Sequence, residues 1–295
     1  MRSNWISWLL FIVLCLIWGS SFYLMKVGMD QLSAYQVASL RMLTAGLVLV
    51  PFARKAWQSI PRNRVMLVMG SGLLGSFFPA YLFCLAETKI DSAIAGILNA
   101  LTPLFTLLVG IFFFQLKARP IQIIGTCVGF LGLVLLIITG SDVHLSNLGY
   151  SFLVVAATVM YGLNVNMVGR YMRGFRAIDI ASLAFVMLII PSLVILLFTG
   201  YGNLPLTESA YLQSTLAAVV LGIFGTAIAS VLFYLLVKRA GPVFASMVTY
   251  GIPIVAIGWG LLRQEYIREK QVFSLFIILA GVYLVNRPEK KKPEV

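Results

Sequence analysis

Arg41 stands inside an apolar run, residues 35–53, where a permanent charge is costly. An arginine at the centre of a membrane helix costs roughly 2.5–3.5 kcal/mol on insertion scales. Arg41 lies about six residues into its run, roughly 9 Å along a helix, so snorkelling lowers that cost. Two chemistries suit it: an anchor for a carboxylate or phosphate, or a structural contact to helix-end carbonyls or to Glu87 or Glu265.

A second group is polar rather than charged. Ser92, Gly96, Asn99, Pro103, Thr106 and Gly110 recur at steps of four and three, so a helix over 92–114 carries them on one side. Pro242, Ser246, Thr249, Pro253, Ala256 and Gly260 repeat that face. Each proline, lacking an N–H, frees a carbonyl one turn upstream. Such a face either lines a cavity, where those carbonyls meet solute or water, or lets two helices pack closely. Asn99 favours a cavity, because a buried amide in lipid needs a partner.

The third group is aromatic. Trp18 sits in mid-span, away from the interfacial belt expected for Trp5, Trp8 and Trp57. Tyr161 is its counterpart in the second half, with Asn164 one turn along on the same face. Tyr250, beside Thr249, is a further candidate. These rings and amides suit stacking on an amphipathic solute, or plain helix packing with a satisfied polar tip.

The elements that hold these residues are membrane helices. Apolar runs of roughly 17–25 residues cross a bilayer. Ten are expected, at about residues 6–27, 35–53, 66–87, 92–114, 121–139, 147–169, 179–200, 212–237, 242–263 and 271–286. The chain is also internally repeated. Gly72, Gly75, Leu82, Phe83, Leu85, Ala95 and Pro103 meet Gly222, Gly225, Leu232, Phe233, Leu235, Ala245 and Pro253 at an offset of 150. Upstream the offset is 143, matching Trp18-Gly19 to Tyr161-Gly162 and residues 38–40 to 181–183. The expected division is residues 1–144, 145–288 and a basic tail, 289–295.

Loop charges orient the spans. Sixteen of the 22 basic residues fall on one side: Arg2, Arg54, Lys55, Arg62, Arg64, Lys117, Arg119, Arg170, Arg173, Arg176, Lys238, Arg239, Arg287, Lys290, Lys291 and Lys292. Lys26, Lys89, Arg263, Arg268 and Lys270 fall on the other. Both termini are therefore expected in the cytoplasm. Five spans per half invert the second half relative to the first. Inverted repeats are typical of secondary transporters, with the site between the repeats.

Composition sets the class. The chain is 60% hydrophobic and 11% charged, against about 25% charged in a soluble domain. An all-α polytopic membrane protein follows. The net charge of +12 resides in loops, so nucleic acid is not an expected partner. Cys15, Cys84 and Cys127 lie in separate apolar runs and read as small buried hydrophobes. Glu87, Asp91 and Glu265 lie at helix ends, and His144, the single histidine, is in a loop. No proton relay, Walker loop, HExxH, CxxC or Ser-His-Asp set is visible. No enzyme, metal or cofactor is expected. Gly125, Gly129 and Gly132 form a strip suited to a dimer contact or, more commonly, to packing within the chain. A monomer or a homodimer is expected in the bilayer.

The segments CLIWGSSFYLMK at 15–26, ASLRMLTAGLVL at 38–49, LNALTPLFTLL at 98–108 and YGIPIVAIGWGLLRQE at 250–265 resemble the EamA repeat of the drug/metabolite transporter superfamily. The likeness runs from about Leu10 to Asn286. It implies an inner-membrane carrier in a ten-helix inverted-repeat fold, commonly an exporter of amino acids or related metabolites. It places Trp18, Arg41, Asn99, Pro103, Pro253 and Glu265 at family-typical positions. Two positions depart. Gln115 stands where an acid like Glu265 is usual, which puts symmetric coupling or gating in doubt, and Ala184 stands where Arg41 would have a mate. The expected function is alternating-access transport of a small organic solute. A nucleotide-sugar or lipid-linked carrier and a non-transport membrane protein are the alternatives.

Overall fold

The computed structural model describes residues 4–90, 92–140, 148–252, 255 and 269–286. These are almost wholly helical, with no strand among them. The first half runs α1 (Asn4–Met29), α2 (Ala34–Ser59), α3 (Arg62–Gly72), a π-helical segment (Leu73–Phe77), α4 (Phe78–Glu87), α5 (Ser92–Asn99), α6 (Thr102–Phe114) and α7 (Pro120–Gly140). The second runs α8 (Leu148–Tyr171), α9 (Ala177–Met187), α10 (Ile189–Phe198), α11 (Ser209–Val220), a second π-helical segment (Leu221–Ile228), α12 (Ala229–Ala240), α13 (Pro242–Ser246) and α14 (Glu269–Asn286).

Among the described residues, six helical stretches are long and apolar enough to cross a membrane: Trp5–Met29, Ala34–Ser59, Arg62–Glu87, Gly149–Tyr171, Ala177–Phe198 and Ser209–Ala240. Shorter apolar helices occupy Thr102–Phe114, Pro120–Gly132, Pro242–Ile252 and Phe276–Val285. A chain this apolar satisfies its backbone inside each segment, since lipid offers no hydrogen bonds.

Local chemistry sets the interruptions. The expected continuous helix over 92–114 is broken at Ala100 and Leu101. Pro103 at the start of α6 cannot donate to the carbonyl of Asn99. The Thr102 hydroxyl donates to that carbonyl instead, at 2.6 Å. The carbonyl expected to open toward solute is thus taken by a neighbour. A similar break falls at Leu188, just before Pro191.

The two π-helical segments sit at matching places, each holding a repeat glycine, Gly75 or Gly225. In the second, the Thr226 hydroxyl donates five residues back to Leu221 O at 3.3 Å. Such wide turns are frequent at functional sites.

The glycine strip is used within the chain. A methyl at Gly125 would meet the carbonyl of Gly281 at 2.8 Å, and one at Gly132 would meet the Ile278 backbone at 2.8 Å, so α7 and α14 pack backbone to backbone. One further expectation is corrected. Cys127 is exposed on the outward side of α7, whereas Cys15 and Cys84 are buried. Trp8 packs edge-on against Phe244, with centroids 5.3 Å apart, while Trp5 and Trp57 are exposed. Asp179, an acid missed at a helix end, is buried at the start of α9. It accepts hydrogen bonds from Arg176 at 2.7 Å and from Ser59 at 3.1 Å, tying α2 to α9.

Candidate functional site

A cavity of about 100 Å³ lies among the helices of both halves. Eight pairs of repeat positions contribute to its described wall. At the offset of 143 these are Trp18 with Tyr161, Ser21 with Asn164, and Phe22 with Val165. At the offset of 150 they are Gly75 with Gly225, Ser76 with Thr226, Phe83 with Phe233, Asn99 with Thr249, and Thr102 with Ile252. The duplication therefore meets itself at this cavity.

The contacts between these residues are reciprocal. Trp18 of the first half pairs with Phe233 of the second, with centroids 5.1 Å apart. Tyr161 of the second half stacks on Phe83 of the first at 6.1 Å. The side chain of Asn164 lies against Gly75, where any Cβ would overlap its amide. At the matching place, the Ser21 hydroxyl lies 2.8 Å from where a Cβ on Gly225 would stand. Gly19 and Gly162 follow the same rule: Gly19 faces Val255, and Gly162 faces the backbone of Phe105. The motif of an aromatic followed by glycine thus puts a ring at the cavity and a bare backbone against the other half.

Polar groups anchor the wall. The Trp18 indole N–H donates to Gly225 O at 3.0 Å, a carbonyl of the second π-helical segment. The Ser71 hydroxyl donates to Asn164 Oδ1 at 2.5 Å and lies 3.4 Å from the Tyr234 hydroxyl. Arg41 Nε donates to Thr226 Oγ1 at 2.6 Å. That contact answers one of the two chemistries open to Arg41 without a helix-end carbonyl. Among the described residues Arg41 has no ion-pair partner. At the equivalent place in the second half, Ala184 packs its Cβ against Gly72 instead.

Six of the predicted residues line the cavity: Trp18, Arg41, Asn99, Tyr161, Asn164 and Thr249. Tyr250 does not. It is fully buried beneath α7, and its hydroxyl donates to Thr126 O at 3.1 Å. Its neighbour Thr249 takes the cavity face because adjacent residues on a helix point about 100° apart. Pro103 is buried beside the break and does not line the cavity. The lower part of its face packs on α8, where Asn166 Nδ2 donates to Thr106 O at 2.8 Å. Gln115 ends α6 in a left-handed conformation (φ 53°) and is exposed, with its Oε1 accepting from Arg170 at 3.3 Å. Pro253 and Glu265 lie outside the described residues.

Sequence reasoning missed Ser21, Phe22, Ser76, Thr226 and Ser230 as wall residues. The offsets carried a signal for one of them, because Ser21 is the counterpart of Asn164. Among the described residues no His, Cys, Asp and Glu cluster could hold a metal ion.

Comparison with known proteins agrees with this architecture. Residues 5–138 and 148–287 each match the EamA-like transporter family. The inner membrane transporter YedA of Escherichia coli (strain K12) is 27% identical over 285 residues, covering 92% of this chain and 88% of YedA. A transporter of Archaeoglobus fulgidus is 25% identical over 289 residues, covering 95% and 99%. A probable amino-acid metabolite efflux pump of E. coli (strain K12) is 26% identical over 148 residues, about half of each chain. A solved crystal structure superposes with a TM-score of 0.73 at 18% identity, covering 96% of both chains, which speaks to the fold alone.

Proposed function

The chain belongs to the EamA-like transporter family, and from that premise we propose that it is a secondary transporter exporting a small organic metabolite, an amino acid or a related compound, by alternating access. The observation that carries this reading is the cavity built from paired positions of the two halves. A site shared by two repeats opens to one side or the other as the halves rock about it.

In this reading the chain has ten spans in two inverted five-helix repeats, residues 1–144 and 145–288, followed by a cytoplasmic tail. The four shorter apolar helices support the count, since they fall where the fourth, fifth, ninth and tenth spans are expected. The reciprocal contacts of Trp18 with Phe233 and of Tyr161 with Phe83 support a two-fold relation between the halves. Both termini lie in the cytoplasm, a reading that the excess of basic residues in the loops on that side supports. Trp18, Arg41, Asn99, Tyr161, Asn164 and Thr249 contact the solute. Glu265 remains the family-typical candidate for coupling, and Gln115 carries none.

Export draws support from the efflux pump relative, whose printed description concerns amino-acid metabolites. Charge weighs against a nucleotide sugar: its phosphates call for several basic residues, and Arg41 is the one cation on the described wall. The test is whether cells expressing the chain redistribute a solute across the membrane and whether Asn99→Leu stops them. Redistribution unchanged in a well-expressed Asn99→Leu protein would remove Asn99 from the path.

A further inference from the structure

Wherever the cavity wall is paired it is neutral; its charge is unpaired. Arg41 is the one ionised side chain among the described wall residues, and its counterpart position holds Ala184. A guanidinium keeps its proton in any protein setting. In the membrane interior an uncompensated cation is costly, so its partner determines what the site favours.

The geometry fixes one edge of that guanidinium and leaves the other unused. Nε donates to Thr226 Oγ1 at 2.6 Å, and Thr226 is itself held by its bond to Leu221 O across the π-helical turn. The two terminal nitrogens have no hydrogen-bond or ion-pair partner among the described residues. They form the fork that a carboxylate accepts in bidentate fashion. The described wall holds no carboxylate to receive an ammonium. Around it stand the ring pairs Trp18–Phe233 and Phe83–Tyr161.

We propose that the cavity selects monoanionic carboxylates with an apolar, ring-sized body. The carboxylate seats on the Arg41 fork, the body lies between the two aromatic pairs, and an ammonium on the solute is not required. One arginine matches one negative charge, whereas a phosphate dianion calls for a second cation that the described wall lacks. The proposal rests on the reading of this cavity as the transport site.

The test is calorimetric titration of the purified full-length chain with four probes that share a phenyl ring: phenylacetate, phenyl phosphate, phenethylamine and L-phenylalanine. Phenylacetate is expected to bind at least about tenfold more tightly than phenethylamine or phenyl phosphate, and no more weakly than L-phenylalanine. Arg41→Gln is expected to weaken phenylacetate at least about tenfold, and Arg41→Lys less, because a point charge replaces a fork. Where Arg41→Gln fails to fold, Arg41→Lys and the selectivity of the unmodified chain decide. Equal or tighter binding of phenethylamine, tighter binding of phenyl phosphate or L-phenylalanine, no binding of any probe, or phenylacetate affinity untouched in folded Arg41→Gln would each overturn the proposal. The transport reading is scored separately in cells. Redistribution of a cationic or neutral solute would sink the carboxylate assignment and leave transport standing; redistribution of no solute would sink transport itself.

Discussion

The indole N–H of Trp18 donates to the carbonyl oxygen of Gly225 at 3.0 Å, joining residues 207 positions apart. The bond links α1 to the second π-helical segment, and the ring it orients also pairs with Phe233. One residue therefore ties the first half to the second at the wall of the cavity. Trp18→Phe keeps a ring against Phe233 but strands the Gly225 carbonyl. It is expected to cost about 1–3 kcal/mol in unfolding of the purified protein, with reduced solute flux. A variant as stable and as active as the unmodified chain would show that the bond does not organise the site.

Gly75 and Asn164 share one space. Gly75→Ala forces a methyl into the Asn164 amide and is expected to cost about 1–3 kcal/mol. Asn164→Ala removes the obstacle as well as the bond from Ser71. The double variant should then be more stable than the sum of the two losses predicts, with a coupling of about 0.5 kcal/mol or more. Strict additivity in thermal unfolding would place the two side chains apart.

The all-helical membrane class and six residues of the cavity wall were legible in the sequence, for physical reasons. Glycines at positions 75 and 225 recur because the other half's side chains occupy the space a Cβ would need, and such constraints survive when apolar residues drift. Trp18 could be picked out because a tryptophan in mid-span lies away from the interfacial belt, and Tyr161 because it is the repeat counterpart of Trp18. Other features were not legible. Tyr250 looked equivalent to Thr249, but a rotation of about 100° per residue turns it toward α7. The break at Ala100 and Leu101 depends on the Thr102 hydroxyl replacing the missing N–H of Pro103, a local exchange that spacing alone does not reveal. Asp179 went unnoticed although Arg176 lies only three residues away, because its burial and its bond from Ser59 arise only when α2 and α9 pack.

Gln115 ends α6 with φ at 53°, a conformation that glycine adopts without cost and other residues do not. Gln115→Gly is expected to raise stability by about 0.5–1 kcal/mol, net of the lost contact to Arg170, and to leave flux unchanged. Lower flux at equal expression would return Gln115 to a coupling or gating role.

The orientation is open to a direct check. A reporter active only in the cytoplasm, fused after Val295, is expected to give signal, and one active only in the periplasm to give none. The reverse pattern would overturn the even span count or the assignment of the basic loops to the inside.

The central claim is that the paired cavity carries a solute across the membrane. The most direct measurement is a broad metabolite profile, inside and outside, of cells expressing the intact chain beside cells expressing Asn99→Leu at matched levels. The account predicts at least one small organic solute enriched outside with the intact chain and not with the variant. Identical profiles inside and outside, with both proteins present in the membrane, would contradict it.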